Sequence, residues 1–233
     1  MSTSPFAVLS LGFVLGLRHA LDVDHLAAVS TIVSQRRGLW RSSLIGAAWG
    51  LGHTVSLVAV AVGVIGLHAE ISPAVGRLLE LGVAGMLIVL GLNLLRSVAS
   101  GRVHVHRHMH AGRPHAHPHR HAPPRPDHDH GPSGRRPFLV GLVHGLAGSA
   151  ALMLAVVAAI PSPALALAYV GVFGIGSVGG MAVMSTLFAI PAFLAGELFA
   201  GADRVLRLGT ATASVAIGLH LAWQIGAEAG VLA

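Results

Sequence analysis

Apolar residues in this chain fall in long runs rather than in alternation or amphipathic stripes. Six runs, roughly 6–29, 43–67, 75–98, 137–160, 164–194 and 205–227, are each long enough to cross a bilayer as a helix. Between the third and fourth the pattern collapses into "VHVHRHMHAGRPHAHPHRHAPPRPDHDHG", which holds ten of the sixteen His and has no apolar period. Such a segment buries no core and is expected to be disordered without a ligand. The chain therefore divides into 1–100, a His-rich loop over 101–136, and 137–233. The expected fold class is all-α, a polytopic membrane protein of six transmembrane helices.

The two halves repeat. "GLRHAL" (Gly16 to Leu21) matches "GLVHGL" (Gly141 to Leu146), and "WGLGHTVSL" (Trp49 to Leu57) lines up with "FGIGSVGGM" (Phe173 to Met181). "RLLELG…GLNL" from Arg77 lines up with "RVLRLG…GLHL" from Arg204. The offsets are 125, 124 and 127, nearly constant and in order. With three spans per half, the second half enters the membrane upside down. Two inverted three-helix repeats are typical of transporters, whose substrate site lies near the midplane between the halves.

Polar residues interrupt the first run at "GLRHALDVDHLAAVS". A charge at mid-helix costs about 2.5–3.5 kcal/mol on the insertion scale, and an apolar residue contributes only about −0.3 to −0.6. Arg18, Asp22 and Asp24 thus oppose insertion by roughly 7–10 kcal/mol, so this face must meet protein, water or an ion rather than lipid. On a regular helix His19, Asp22 and His25 step at i, i+3, i+6 and share one face. Arg18 lies one turn before Asp22 and is placed to pair with it, while Asp24 points elsewhere. Two imidazoles and a carboxylate on one face suit nickel, cobalt or zinc; a structural Arg–Asp pair with two hydrogen-bonded His is the plainer alternative. His53 sits near the middle of the second run and adds a candidate ligand. His144 takes the repeat position of His19, but Asp22, Asp24 and His25 align with Ala147, Ser149 and Ala150. The chemistry is therefore concentrated in the first half, with His144 open between pathway and packing. Asn93 and His220 occupy equivalent positions, and Ser177 aligns with His53 amid glycines that favour close helix approach.

Composition narrows the classes. The chain is 54% hydrophobic and 10% charged with mean hydropathy +0.74, against roughly a quarter charged in soluble domains. There is no Cys, which excludes thiolate metal sites and membrane thiol oxidoreductase chemistry. All fifteen basic residues are Arg, eight of them between Arg96 and Arg136, so the high pI is a topology signal and not a nucleic-acid footprint. Arg36, Arg37, Arg41, that cluster, Arg204 and Arg207 share one side of a six-span topology, and only Arg77 lies on the other. By the positive-inside rule the His-rich loop is cytoplasmic and both termini face out of the cell membrane. The N-terminus lacks the basic region of a cleaved signal peptide. No HExxH-type helix supports a metalloprotease, and no enzyme activity is expected.

"RHALDVDHLAA" resembles the first-span signature of the nickel/cobalt transporter superfamily: His, four residues, Asp-His, with a further Asp inside. "GLGHT" resembles its second-span motif, and "GLVHGLAGSAAL" with "FGIGSVGGMA" is similar to its shorter, urease-accessory-type branch of nickel permeases. The resemblance implies translocation of nickel, with cobalt second, by His19, Asp22, Asp24, His25 and His53. The metal is then cargo, and no cofactor is expected. The larger permeases of that superfamily have eight spans and an acidic second-half motif, which "GGMAVMSTLF" lacks. Asp24 belongs to the signature although a regular helix aims it away, so either the helix is locally unwound there or Asp24 has a separate role, such as holding Arg18. Expected partners are the divalent ion, the bilayer and nickel-enzyme maturation proteins. An exporter, or an assembly factor handing nickel to urease, remains open. The His-rich loop reads as a low-specificity metal buffer or sensor.

Overall fold

The computed structural model describes residues 4–34, 38–67, 72–100, 104–110, 113–119, 134–146, 156–157, 159–198 and 200–229. Seven helices stand among them: α1 Pro5–His19, α2 Val23–Val33, α3 Leu39–Leu67, α4 Pro73–Ala99, α5 Arg135–Gly145, α6 Pro163–Leu198 and α7 Ala200–Glu228. Four of these, α3, α4, α6 and α7, are long and apolar enough to cross a membrane, and α1 with α2 makes a fifth candidate as a bent pair. The fold is therefore a helical membrane protein. The eleven residues of α5 rise only about 16 Å, too short to span alone. Residues 147–155, where the expected fourth span continues, lie outside the described residues.

The first span is broken rather than regular, in keeping with the locally unwound alternative for Asp24. α1 and α2 meet at an angle of 55° across residues 20–22. Leu21 N–H bonds the Arg18 carbonyl at 2.8 Å and Asp22 N–H that of His19 at 3.1 Å, a tightened last turn. Asp22 then turns extended (ψ 144°) as the N-cap of α2, and its carbonyl accepts from Leu26 N–H at 2.9 Å. Asp22 and Asp24 bracket the start of α2, where carboxylates suit the positive end of the helix dipole.

Helix packing rests on close backbone approach. α3 lies against α6 and α5, α1 against α6, and α4 against α7. A Cβ on Gly16 would strike the Phe173 carbonyl, and one on Gly141 the Trp49 carbonyl. Gly52 meets Phe138 as Gly176 meets Phe13, and Gly91 meets Ala211 as Gly218 meets Ala84. In each case the two contacts join positions that the sequence repeat relates. Hydroxyls add links across the same seams: Thr54 Oγ1 to the Gly174 carbonyl at 3.3 Å, Ser56 Oγ to that of Leu142 at 2.6 Å, and Ser214 Oγ to that of Leu87 at 2.9 Å. Two apolar clusters result. One gathers Ala28, Val29, Val33, Trp49, Leu87 and Met181, the other Leu57, Ala61, Tyr169, Val170 and Phe173.

The His-rich segment departs from the expectation of no regular structure. β1 His104–His110 pairs antiparallel with β2 Arg113–His119, setting His104, His106 and His108 opposite His119, His117 and His115. Alternation of His with other residues has the period of a strand, a signal independent of any apolar pattern. Residues 120–133 lie outside the described residues. Arg207, counted above as a topology charge, is buried and paired with Asp203 at 2.9 Å.

Gly16→Ala is expected to lower stability by about 1–3 kcal/mol, because the added methyl meets a carbonyl that cannot move freely. Gly171→Ala, with nothing within 4 Å, should be neutral or slightly stabilising. Thermal unfolding in detergent checks the order of the two.

Candidate metal centre

The break in the first span gathers what a straight helix would spread. His19 ends α1, His25 lies in the first turn of α2, and their ring centroids are 4.3 Å apart. α3 brings His53 to the same point, with its Nε2 3.1 Å from His19 Nε2. All three imidazoles are buried. One nitrogen from each lies within 4.8 Å of the others. Cis ligands about 2.1 Å from a metal stand about 3.0–3.4 Å apart, so the His19–His53 spacing is already that of two ligands on one ion.

Asp22 and Asp24 stand behind the imidazoles rather than among them. Asp22 Oδ2 is 2.7 Å from His19 Nδ1, and Asp24 Oδ1 is 3.0 Å from His25 Nδ1. Each carboxylate accepts an Nδ1–H, which fixes the tautomer and leaves Nε2 unprotonated: His19 Nε2 then accepts from His53 Nε2–H, and His25 Nε2 has no partner among the described residues. This is the arrangement by which outer carboxylates orient metal-binding His. The regular-helix picture of Asp22 facing inward beside His19 and His25 is thereby corrected, and so is its pairing with Arg18, which is exposed and makes no ion pair among the described residues. Asp24, expected to point away, turns inward: its Oδ1 also takes His25 N–H at 2.9 Å, and its Oδ2 takes His144 Nε2 at 2.9 Å.

His144 is the residue that helical spacing did not settle. Its ring centroid is 4.1 Å from that of His25, and Asp24, His25 and His144 form a second set with ligand atoms within 4.8 Å. The signal that could have placed it was the match of "GLVHGL" to "GLRHAL". Trp49 walls the cluster on one side, 5.3 Å from His25, and Phe173 on another, 5.5 Å from His19. His25 Nε2, His53 Nδ1, His144 Nδ1 and Ser177 Oγ are buried with no hydrogen-bond partner among the described residues. Unsatisfied buried polar atoms cost about 1–3 kcal/mol each, so their concentration here is a cost carried for something other than stability. Asn93 and His220 are exposed and stand apart from the cluster, His220 stacked on Trp223.

Fold and cluster together define a class: a polytopic helical membrane protein with a buried histidine centre at a broken span. The chain is 33% identical over 225 residues to the urease accessory protein UreH of Bacillus sp. (strain TB-90), covering 97% of this chain and 94% of that one. It belongs to the family of that protein, which bears out the resemblance to the urease-accessory-type branch. No family model matches the chain. No solved structure matches it either.

Asp24→Leu is expected to destabilise more than Asp22→Leu. The first strands two buried imidazole N–H groups, about 1–3 kcal/mol each, and the second strands one beside a carboxylate that is 52% exposed. Melting temperatures of the two variants in detergent give the comparison.

Proposed function

We propose that the chain carries a divalent transition-metal ion across the membrane, nickel first and cobalt second, through His19, His25 and His53, with Asp22 and Asp24 orienting the imidazoles. The observation that carries this is the meeting of three buried imidazoles, one nitrogen from each within 4.8 Å, where the first span breaks. Neutral imidazoles suit borderline divalent ions, and such an ion would satisfy the lone pairs that the fold leaves without partners. Broken helices with their exposed ends at mid-membrane are how transporters build substrate sites. Asp22 is 52% exposed and Asp24 33%, so the carboxylates are the parts of the cluster nearest the surface.

The wider architecture we infer is six spans in two inverted three-helix repeats. Supporting it are the paired glycine–carbonyl contacts, each repeated at an offset of 124 to 127 residues with the helices exchanged. The Arg bias supports a cytoplasmic His-rich hairpin and termini outside, and metal buffering by that hairpin follows as part of the same reading.

The relative's role as a urease accessory protein favours one second reading, a membrane factor that hands nickel to urease without translocating it. Radiolabelled nickel in cells expressing the wild type, His19→Ala and a deletion of 104–130 separates them. Accumulation above the empty-vector control, lost in His19→Ala, is the expected result. Depletion below the control, lost likewise, makes the protein an exporter. No difference in either direction, with urease activation still dependent on the chain, favours the assembly factor.

A further inference from the structure

The proposed centre uses one edge of the His25 ring. The other edge faces Asp24 and, beyond it, His144, to which neither the first-span motif nor helical spacing assigns a task. His25 Nδ1 is 3.0 Å from Asp24 Oδ1, and His144 Nε2 is 2.9 Å from Asp24 Oδ2. His25 and His144 are buried, and His144 Nδ1 has no partner among the described residues. His144 comes from α5, in the other half of the chain, so this set closes only when the two halves are packed.

We propose that Asp24, His25 and His144 form a second subsite for the same divalent cation, and that the ion steps between two sites by changing edges of His25. The inference rests on the reading of His19, His25 and His53 as the first subsite. In that first subsite the cation takes His25 Nε2, and Nδ1–H donates to Asp24. In the second it takes His25 Nδ1, His144 Nε2 and an Asp24 oxygen. The protons stay balanced. The nitrogens of one ring do not exchange a proton directly, so water entering with the hydrated ion carries it. His25 Nδ1 and His144 Nε2 each give a proton to water as the ion reaches them, and His25 Nε2 and His144 Nδ1 each take one from water. Both receiving atoms, His25 Nε2 and His144 Nδ1, are the ones that stand without partners in the structure.

The two subsites differ in a way that orders the path. The first has three neutral ligands, all buried; the second includes an anionic oxygen on a residue 33% exposed. The carboxylate favours a dication arriving from, or leaving to, the wetter side, while the imidazole set holds it away from water. Each set has three protein ligands, so neither is a closed structural cage, and exchange of ligands stays open. Because Nε2 and Nδ1 lie on different edges of the ring, the ion gives up one before it takes the other, and the water that travels with it completes its shell between them.

The chain contains no Cys, which makes an introduced thiolate a clean reporter. His53→Cys and His144→Cys would be made separately in the full-length protein, purified in detergent and titrated with cobalt(II). A coordinated thiolate shows a near-ultraviolet sulfur-to-cobalt charge-transfer band that imidazoles of the His-rich hairpin cannot produce. The expected result is a band in both variants. A band in His53→Cys alone overturns the second subsite and leaves the first intact. A band in neither overturns the metal centre itself. Nickel uptake by His144→Ala supplies an independent readout should the cysteine variant fail to fold. Turnover should fall about tenfold or more while half-saturation stays within about twofold. The reverse, half-saturation raised about 10–100-fold with turnover kept, is the mark of a residue that merely orients a ligand of one site, and overturns the proposal.

Discussion

Everything in this molecule turns on the interruption of the first span at residues 20–22. In a hydrocarbon environment free backbone groups are costly, so a helix breaks only where protein or water satisfies them. Here the tightened turn uses two of the freed N–H groups, and Asp22 restarts the helix with its carbonyl already bonded. Ala20 is buried against the Gly180 position of α6, so the break is held from outside as well. The consequence is geometric. A straight helix would place His19 and His25 nearly two turns apart; the bend brings their rings into edge contact at 4.3 Å. The same bend turns Asp24 from the outer face towards His25 and His144.

Holding such a bend requires neighbours that approach closely, and glycine supplies them. Gly16 on Phe173, Gly141 on Trp49 and Gly52 on Phe138 set α1, α3, α5 and α6 at backbone contact around the histidines. Without side chains between them the helices bring Trp49 and Phe173 against the imidazoles, and the two apolar clusters meet at the site rather than away from it. The low-dielectric walls sharpen every electrostatic interaction inside, whether between imidazole and carboxylate or between imidazole and cation. The polar cluster and the apolar packing are therefore parts of one device: the second supplies the dryness that makes the first selective for good ligands.

Much of this was legible in the sequence, because its signals were local. Long apolar runs announced α3, α4, α6 and α7 within a few residues, and the His and Asp of "RHALDVDH" marked themselves by their cost in a membrane. His53 alone reads as a packing residue, and it becomes a candidate ligand only beside the cluster of the first span. What was missed depends on three dimensions. Helical spacing assumes continuity, so the wheel that grouped His19, Asp22 and His25 placed Asp22 inward and Asp24 outward, the opposite of the structure. Backbone hydrogen bonds at the break, not side-chain periodicity, decide that outcome. His144 lies more than a hundred residues from Asp24, and only the sequence repeat linked it to His19. The hairpin of β1 and β2 escapes a reading of apolar patterns because its period of two is carried by His and not by apolar residues.

The repeat also explains why the chemistry is one-sided. At the position related to His53 the second half carries Ser177, buried with its hydroxyl unpaired, and at those related to Asp24 and His25 it carries Ser149 and Ala150. A fully symmetric chain would hold two equivalent clusters, each satisfied by its own ion. Retaining only His144 instead donates a single imidazole from the second half to the cluster of the first. The glycine contacts remain paired while the ligands do not. A scaffold whose halves pack alike can exchange which side is open at little cost in packing. In the transport proposed above, a ligand set held almost wholly by one half would keep its cargo while the other half moves, and His144 would be the one donor that the movement makes or breaks.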